Sequence, residues 1–288
     1  MSKPLPRSVA TVVGWAALIP MTFPEVLVTI IDSYTHAGHS WLEPIDLLLY
    51  QMEANGIDKA VLVQHRGVYD NTYLFDCAKQ HPGKFAVVVR VDTDEPNAAE
   101  VLEGWARQGA VGISTSPTMR SPGADPLAIW RKAAELGLVV ICQGDVTHFA
   151  SDDFEALLRD VPGLTVVIEH LAGVGPNGQP PYAEYKKVLT LAKYSTVYME
   201  TGGLGETTPR PPVLKPSFDI GNVAPYLEMA LEAFGHQRVM WGSDYPPVSV
   251  REGYHNALHR VMDHPALADP EVKDWVMNRT AAALFKLG

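Results

Sequence analysis

The stretch Arg238-Val239-Met240-Trp241-Gly242-Ser243-Asp244-Tyr245-Pro246-Pro247 places a carboxylate where chemistry could happen. A short apolar run stops at Gly242-Ser243 and presents Asp244. It then closes on two prolines that can neither extend a sheet nor continue a helix. Charge at the end of a buried strand is costly unless it is paired or used. An isolated Ser-Asp pair would read as a polar turn, but other apolar runs in the chain end in the same way. They finish in Asp32-Ser33-Tyr34-Thr35-His36, Gln64-His65-Arg66, Gln143-Gly144-Asp145, Glu169-His170 and Glu200-Thr201. A lone histidine at a strand end is usually a structural residue with its hydrogen bonds satisfied. Several imidazoles and a carboxylate meeting at one rim would instead form an acid–base or metal-binding constellation.

Such a meeting depends on the elements beneath those residues. Apolar, β-branched runs at 26–32, 59–65, 85–91, 111–115, 138–143, 164–170, 196–200 and 238–241 read as eight strands. Helical patterns separate them: 44–55, a segment from 71 to the stop at Pro82-Gly83, 96–109, 126–137, 152–160, 182–193 and one ending near Gly235. None of the strands alternates strictly between polar and apolar, so they read as parallel strands covered by helices. A count of eight selects a closed (β/α)8 TIM barrel over an open doubly wound sheet. No glycine fingerprint follows the first strand, which argues against a dinucleotide-binding sheet. The long loops after strands four, six and seven then lie on the carboxyl face, where barrel active sites are built.

Composition bounds the partners. The 288 residues carry a net charge of −10 with scattered Lys and Arg, which disfavours a nucleic acid partner. Hydrophobic residues make up 47% and charged residues 19%, ordinary material for a soluble globular core. Cys77 and Cys142 do not make a disulfide framework, so a reducing, cytoplasmic setting is expected. Residues 1–28 read as an N-terminal extension to a single barrel domain at 29–288. Lys3 and Arg7 before the apolar run 9–21 resemble a signal peptide, but no small-x-small cleavage site follows and the run is too short to span a bilayer. The expected partner is a small-molecule substrate, with no membrane and no nucleic acid; a homo-oligomer stays open.

From about residue 30 onward the chain resembles the amidohydrolase superfamily, in its amidohydrolase-related (amidohydrolase 2) branch. The motifs are Ile31-Asp32-x-x-x-His36, Gly56-Ile57-Asp58-Lys59-Ala60-Val61-Leu62-Val63-Gln64, Asn71-x-Tyr73-Leu74 and His81-Pro82-Gly83-Lys84-Phe85. To these are added Val167-Ile168-Glu169-His170-Leu171-Ala172-Gly173 and the stretch from Arg238 to Pro246. The resemblance implies a TIM barrel and a lactonase-like hydrolase, with non-oxidative decarboxylases as more distant kin.

Departures from the family pattern bear on the metal. Metal-dependent members carry His-x-His at the end of strand one, where this chain has Tyr34-Thr35-His36, and a histidine at the end of strand five, where it has Cys142-Gln143. A phenol and an amide are poor replacements for imidazole on zinc. The expectation is therefore no tightly held metal; if a divalent ion such as zinc binds, its ligands are His36, His170 and Asp244. Cys142 or Asp145 could complete such a set only with a shifted strand-five register. In the expected chemistry, Asp244 is general base on a water, and His170 and His36 hydrogen-bond the carbonyl or the departing alkoxide. Tyr34 is a further donor, Gln143 lines the site, and His65, Arg66, Arg120 and Arg210 are candidates to hold a carboxylate or hydroxyl of the substrate. The alternatives are a metal-dependent decarboxylase of the same superfamily and a catalytically decayed binding barrel.

Overall fold

The computed structural model describes residues 29–214 and 223–288. The N-terminal extension 1–28 and the middle of the long loop after strand seven lie outside the described residues. Eight strands, β1 (Ile31–Thr35), β2 (Lys59–Val63), β3 (Phe85–Val89), β4 (Gly112–Thr115), β5 (Val139–Cys142), β6 (Thr165–Ile168), β7 (Val197–Glu200) and β8 (Val239–Met240), form one sheet in sequence order. All seven pairings are parallel. Ser33 N–H donates to the Trp241 carbonyl at 3.1 Å, and a parallel bridge joins Thr35 to Tyr245, so β8 returns to β1 and the barrel closes.

Between the strands run α1 (Ile45–Asn55), α2 (Thr72–Gln80), α3 (Ala98–Arg107), α4 (Ala128–Glu135), α5 (Val146–Phe149), α6 (Asp152–Asp160) and α7 (His170–Gly173). The series continues with α8 (Ala183–Leu189), α9 (Tyr226–Phe234), α10 (Val248–Arg251), α11 (Tyr254–Met262), α12 (Pro270–Asp274) and α13 (Thr280–Phe285). No helix among the described residues is long and apolar enough to cross a membrane.

Strand parity sorts the side chains. Val61, Val63, Ala86, Val88, Val139, Ile141, Val167 and Met240 fill the barrel interior, with Ala281, Phe285 and Leu287 of the C-terminus packed beneath them. Their alternates, among them Leu62, Val87, Val89, Val140, Cys142, Val166, Ile168 and Trp241, pack outward under the helices. Each fully buried aliphatic or aromatic side chain contributes about 1.5–3 kcal/mol, so both layers hold the strands in register. The same parity aims His65, Arg90, Ser114, Gln143, Glu169 and Glu200 at the upper end of the interior.

The first strand begins later than the apolar run suggests. Asp32 lies inside β1 rather than at its end, because three donors satisfy it: Ser243 N–H at 2.8 Å, Tyr34 N–H at 3.3 Å and the Tyr254 hydroxyl at 2.6 Å. The β1–β2 register shifts between Asp32 and Thr35. That irregularity turns Tyr34 into the interior layer, with His36 two residues further at the rim.

Candidate active site

Four carboxyl ends, those of β1, β6, β7 and β8, deliver one cluster. Asp244 Oδ1 lies 3.7 Å from His36 Nε2 and 3.9 Å from His170 Nε2. The Tyr34 ring stands edge-on between the two imidazoles, with centroids 5.0 Å from His36 and 4.9 Å from His170. All four side chains are buried.

Strained backbone aims two of them. Continued strand parity would send His170 outward, since Glu169 before it points inward. Instead His170, Leu171, Ala172 and Gly173 all adopt positive φ, between 50° and 63°, so α7 is a single left-handed turn. Such geometry costs roughly 1–2 kcal/mol for each residue bearing a Cβ, and it swings the His170 imidazole back over the mouth. Asp244 is also left-handed, at φ 58°, and its N–H donates to the Tyr34 carbonyl at 3.0 Å. Strain of this kind persists only where its surroundings enforce it. Gly242 shows how tight those surroundings are: a Cβ there would sit 2.7 Å from Glu200 Oε1 and 2.7 Å from the Tyr34 Cβ.

The partners of each ring fix its chemistry. His36 Nδ1 sits 2.7 Å from the Val63 carbonyl, which can only accept, so Nδ1 carries a proton and Nε2 is the nitrogen turned toward Asp244. His170 Nδ1 lies 2.9 Å from Glu200 Oε2, and the same oxygen accepts from the His170 backbone N–H at 2.7 Å. Burial alone would lower the His170 pKa, but Glu206, Glu200 and Glu169 outweigh it and hold the imidazolium well above its ordinary range. Burial likewise opposes ionisation of Asp244; the neighbouring His36, then His170 and Arg251, prevail and keep its carboxyl below the usual carboxylate range. Arg251 Nη1 is 3.2 Å from Asp244 Oδ2, and its Nε is 2.6 Å from Glu252 Oε2. Asp244 Oδ1 is therefore left facing the two imidazoles.

A second carboxyl lies deeper. Glu169 is almost fully buried, its Oε1 3.9 Å from His170 Nε2 and its Oε2 without a hydrogen-bond partner among the described residues. Burial pushes its pKa up to about 7 against the opposing pull of His170 and the Tyr34 hydroxyl. Burial, Glu169 and Asp244 together raise the Tyr34 pKa well above its ordinary value, so the phenol stays protonated.

The remaining sequence candidates scatter. His65 packs edge-on against His36 at 5.6 Å, and burial, His36 and Arg90 lower its pKa. Arg66 is exposed beside it. Gln143 opens onto the mouth, where its Oε1 accepts from Arg90 Nη2 at 3.3 Å. Arg120 spends Nη1 on the carbonyls of Pro117 and Met119 in its own loop, and Arg210 binds the Val250 carbonyl from an exposed position. Cys142 faces the helix layer, in register with Thr115 and Ile168, and Asp145 caps α5 through Thr147 and His148. Neither reaches the position of a missing ligand. Among the described residues, no three His, Cys, Asp or Glu side chains are arranged to hold a metal ion.

Two members of the site, Arg90 and Arg251, escaped the sequence reading, and a third, Glu200, was named there as a strand end without a role. Arg90 could have been found from the parity of β3, since it follows Ala86 and Val88 on the inward face. Glu200 carries the same kind of signal on β7. Arg251 carries none, because it approaches from a short helix seven residues beyond Asp244.

A closed eight-stranded barrel with its polar cluster on the carboxyl rim defines the class. The chain belongs to the Amidohydrolase family, whose profile matches residues 41–287. It is 26% identical over 229 residues to an L-fucono-1,5-lactonase of Burkholderia ambifaria, covering 74% of this chain and 71% of the relative. A Pseudomonas putida protein provisionally assigned as a 2-pyrone-4,6-dicarboxylic acid hydrolase superposes with a TM-score of 0.72 at 24% identity, covering 90% of this chain and 98% of the other. A zinc-bound amidohydrolase of Burkholderia multivorans gives 0.74 at 22% identity, covering 90% and 100%. The two structural likenesses speak for the fold.

Proposed function

We propose that the protein hydrolyses a lactone or closely related cyclic ester, with Asp244 as general base and no tightly held metal. The observation that carries this is the approach of Asp244 Oδ1 to both His36 Nε2 and His170 Nε2, at 3.7 and 3.9 Å. Those gaps are too long for direct hydrogen bonds and suit a water held among the three groups. Membership of the Amidohydrolase family and the lactonase relative support the same reaction class.

His36, its Nδ1 proton committed to the Val63 carbonyl, presents Nε2 to the water and orients it beside Asp244. Asp244 takes a water proton as the oxygen adds to the lactone carbonyl carbon. His170, cationic and tied to Glu200, donates Nε2–H to the developing oxyanion. The ring C–O bond then breaks, the proton on Asp244 passes to the departing alkoxide, and a hydroxy acid leaves. General base action is worth about 10²–10⁴-fold, and a preorganised donor at the oxyanion supplies a comparable share. Arg251 and His170 already place positive charge on either side of Asp244. Tyr34 and Gln143 stand where metal-dependent relatives would need imidazole, which leaves the donor set short for zinc. A decarboxylase that orients its substrate on a divalent ion fits this donor set less well. The partner is a small molecule, and the two free, buried thiols fit a reducing, cytoplasmic setting.

The test is a lactone panel assayed before and after chelation, with Asp244→Asn alongside. Turnover that survives chelation and falls at least about 100-fold in the variant supports the proposal. Turnover that disappears with the chelator and returns with zinc overturns its metal-free part, and binding without turnover of any lactone overturns the hydrolase.

A further inference from the structure

We propose that Arg90, held by Ser114 and Gln143, is the subsite for a carboxylate on the substrate, so that the protein selects lactones bearing an acid group. This inference rests on the hydrolase reading and names the substrate class for it.

Arg90 projects from the end of β3 into the mouth and is half-buried. Its Nε donates to the Gln64 carbonyl at 3.1 Å, and its Nη2 donates to Ser114 Oγ at 2.9 Å and Gln143 Oε1 at 3.3 Å. All three acceptors are neutral. No carboxylate of the described residues comes within 4.0 Å of the guanidinium, although the mouth holds Asp244, Glu169, Glu200 and Glu206. Its Nη1 makes no hydrogen bond to any described residue. Burial of this cation is costly; Tyr34 and Glu169 offset part of the cost from beyond ion-pair range, Arg66 adds to it, and no carboxylate closes on the guanidinium. Three fixed acceptors orient the guanidinium plane and leave its Nη1 edge toward the mouth, an arrangement suited to end-on pairing with a carboxylate.

The rim keeps its carboxylates to one side, where Arg251 and His170 are paired with them, and leaves Arg90 without an ion pair on the other. The carboxylates sit on β6, β7 and β8 and in the loop after β7, whereas Arg90, His65 and Arg66 follow β3 and β2. In the closed order, β3 stands three strands round from β8. An acid group drawn to Arg90 and repelled by Asp244 would turn the opposite end of the ring, with its ester carbonyl, toward His170. Gln143, at the end of β5, takes part in the same arrangement, since its amide oxygen accepts from Arg90.

The experiment compares 6-carboxy-δ-valerolactone with unsubstituted δ-valerolactone in wild type, Arg90→Gln and Arg90→Lys. The expected result is a kcat/KM ratio favouring the carboxylated lactone in wild type, which falls roughly 10- to 100-fold in Arg90→Gln, mostly through KM, and recovers in part in Arg90→Lys. A ratio near one in wild type, or one that Arg90→Gln leaves unchanged, overturns the subsite. Because Arg90 also ties three strand ends together, binding is measured on wild type by calorimetry with adipate, the deoxy analogue of the carboxylated product, and with dimethyl adipate as neutral control. Saturable binding of adipate and not of its ester supports the subsite even if neither lactone is turned over, a result that would sink only the hydrolase reading. Lactone turnover with no adipate binding overturns the subsite and leaves the hydrolase standing.

Discussion

Asp32→Asn should stabilise the protein above pH 6, although it removes a fully buried, fully hydrogen-bonded side chain. Asp32 is 0% exposed, and burial raises its pKa from 3.8 to about 6 despite the opposing donors Ser243, Tyr254 and Tyr34. The folded state thus keeps this proton over a pH range in which the unfolded chain has lost it, and stability falls as pH rises from 3.8 to about 6. Moving the carboxyl across that interval is worth about 3 kcal/mol. Asparagine keeps one oxygen for the Ser243 and Tyr34 amides, and the Tyr254 hydroxyl can rotate to accept from its NH₂ group. Urea unfolding of both proteins between pH 4 and 7 reads the difference: near zero or slightly unfavourable at pH 4, swinging toward the variant by about 3 kcal/mol at pH 7. A difference that stays flat, or swings toward wild type, would mean that the three donors hold Asp32 ionised and that burial does not dominate at the β1–β8 seam.

The other predictions concern the mouth. Gly242→Ala drives a methyl into Glu200 and Tyr34; it should cost about 1–3 kcal/mol in urea unfolding and lower kcat by displacing the Glu200–His170 pair, whereas unaltered kcat would show that the pair does not set the rate. For kcat/KM against pH, Asp244 must be ionised and His170 protonated. The acid limb should then lie below 3.8 and the alkaline limb above 6.5, with a plateau through neutrality; an acid limb near 6.5 would identify a neutral histidine as the base. Arg251→Met removes a cation from Asp244 Oδ2 and should shift the acid limb upward while leaving the alkaline limb nearly in place, as the same pH series will show.

Much of the fold was readable because it rests on repetition. The strands recur with their helices, and the runs read at 59–65, 85–91 and 138–143 form strands at 59–63, 85–89 and 139–142. The onset of β1 was not readable, since hydrophobicity places Asp32 at a boundary and only its three donors, one of them 222 residues away, explain a carboxylate inside a strand. At the site, Asp244, His36, His170 and Tyr34 could be picked out because they close strands, and the structure brings those four together. Arg120 and Arg210 show the limit of choosing by residue type: their guanidinium groups bind loop carbonyls, and Arg90 occupies the mouth. The direction of His170 was hidden as well, because the left-handed turn that reverses it contains Leu171 and Ala172, which carry none of the usual signals for positive φ.

That turn links alignment to integrity. Leu171 and Ala172 are fully buried under the helices, so it is the outer shell of the molecule that keeps the spring wound. Loosening that shell would let the segment relax to ordinary geometry and turn the imidazole away while the barrel itself still stood. Mild denaturant should accordingly silence the enzyme before its strands come apart, and the working life of the protein would be set by the packing behind one histidine.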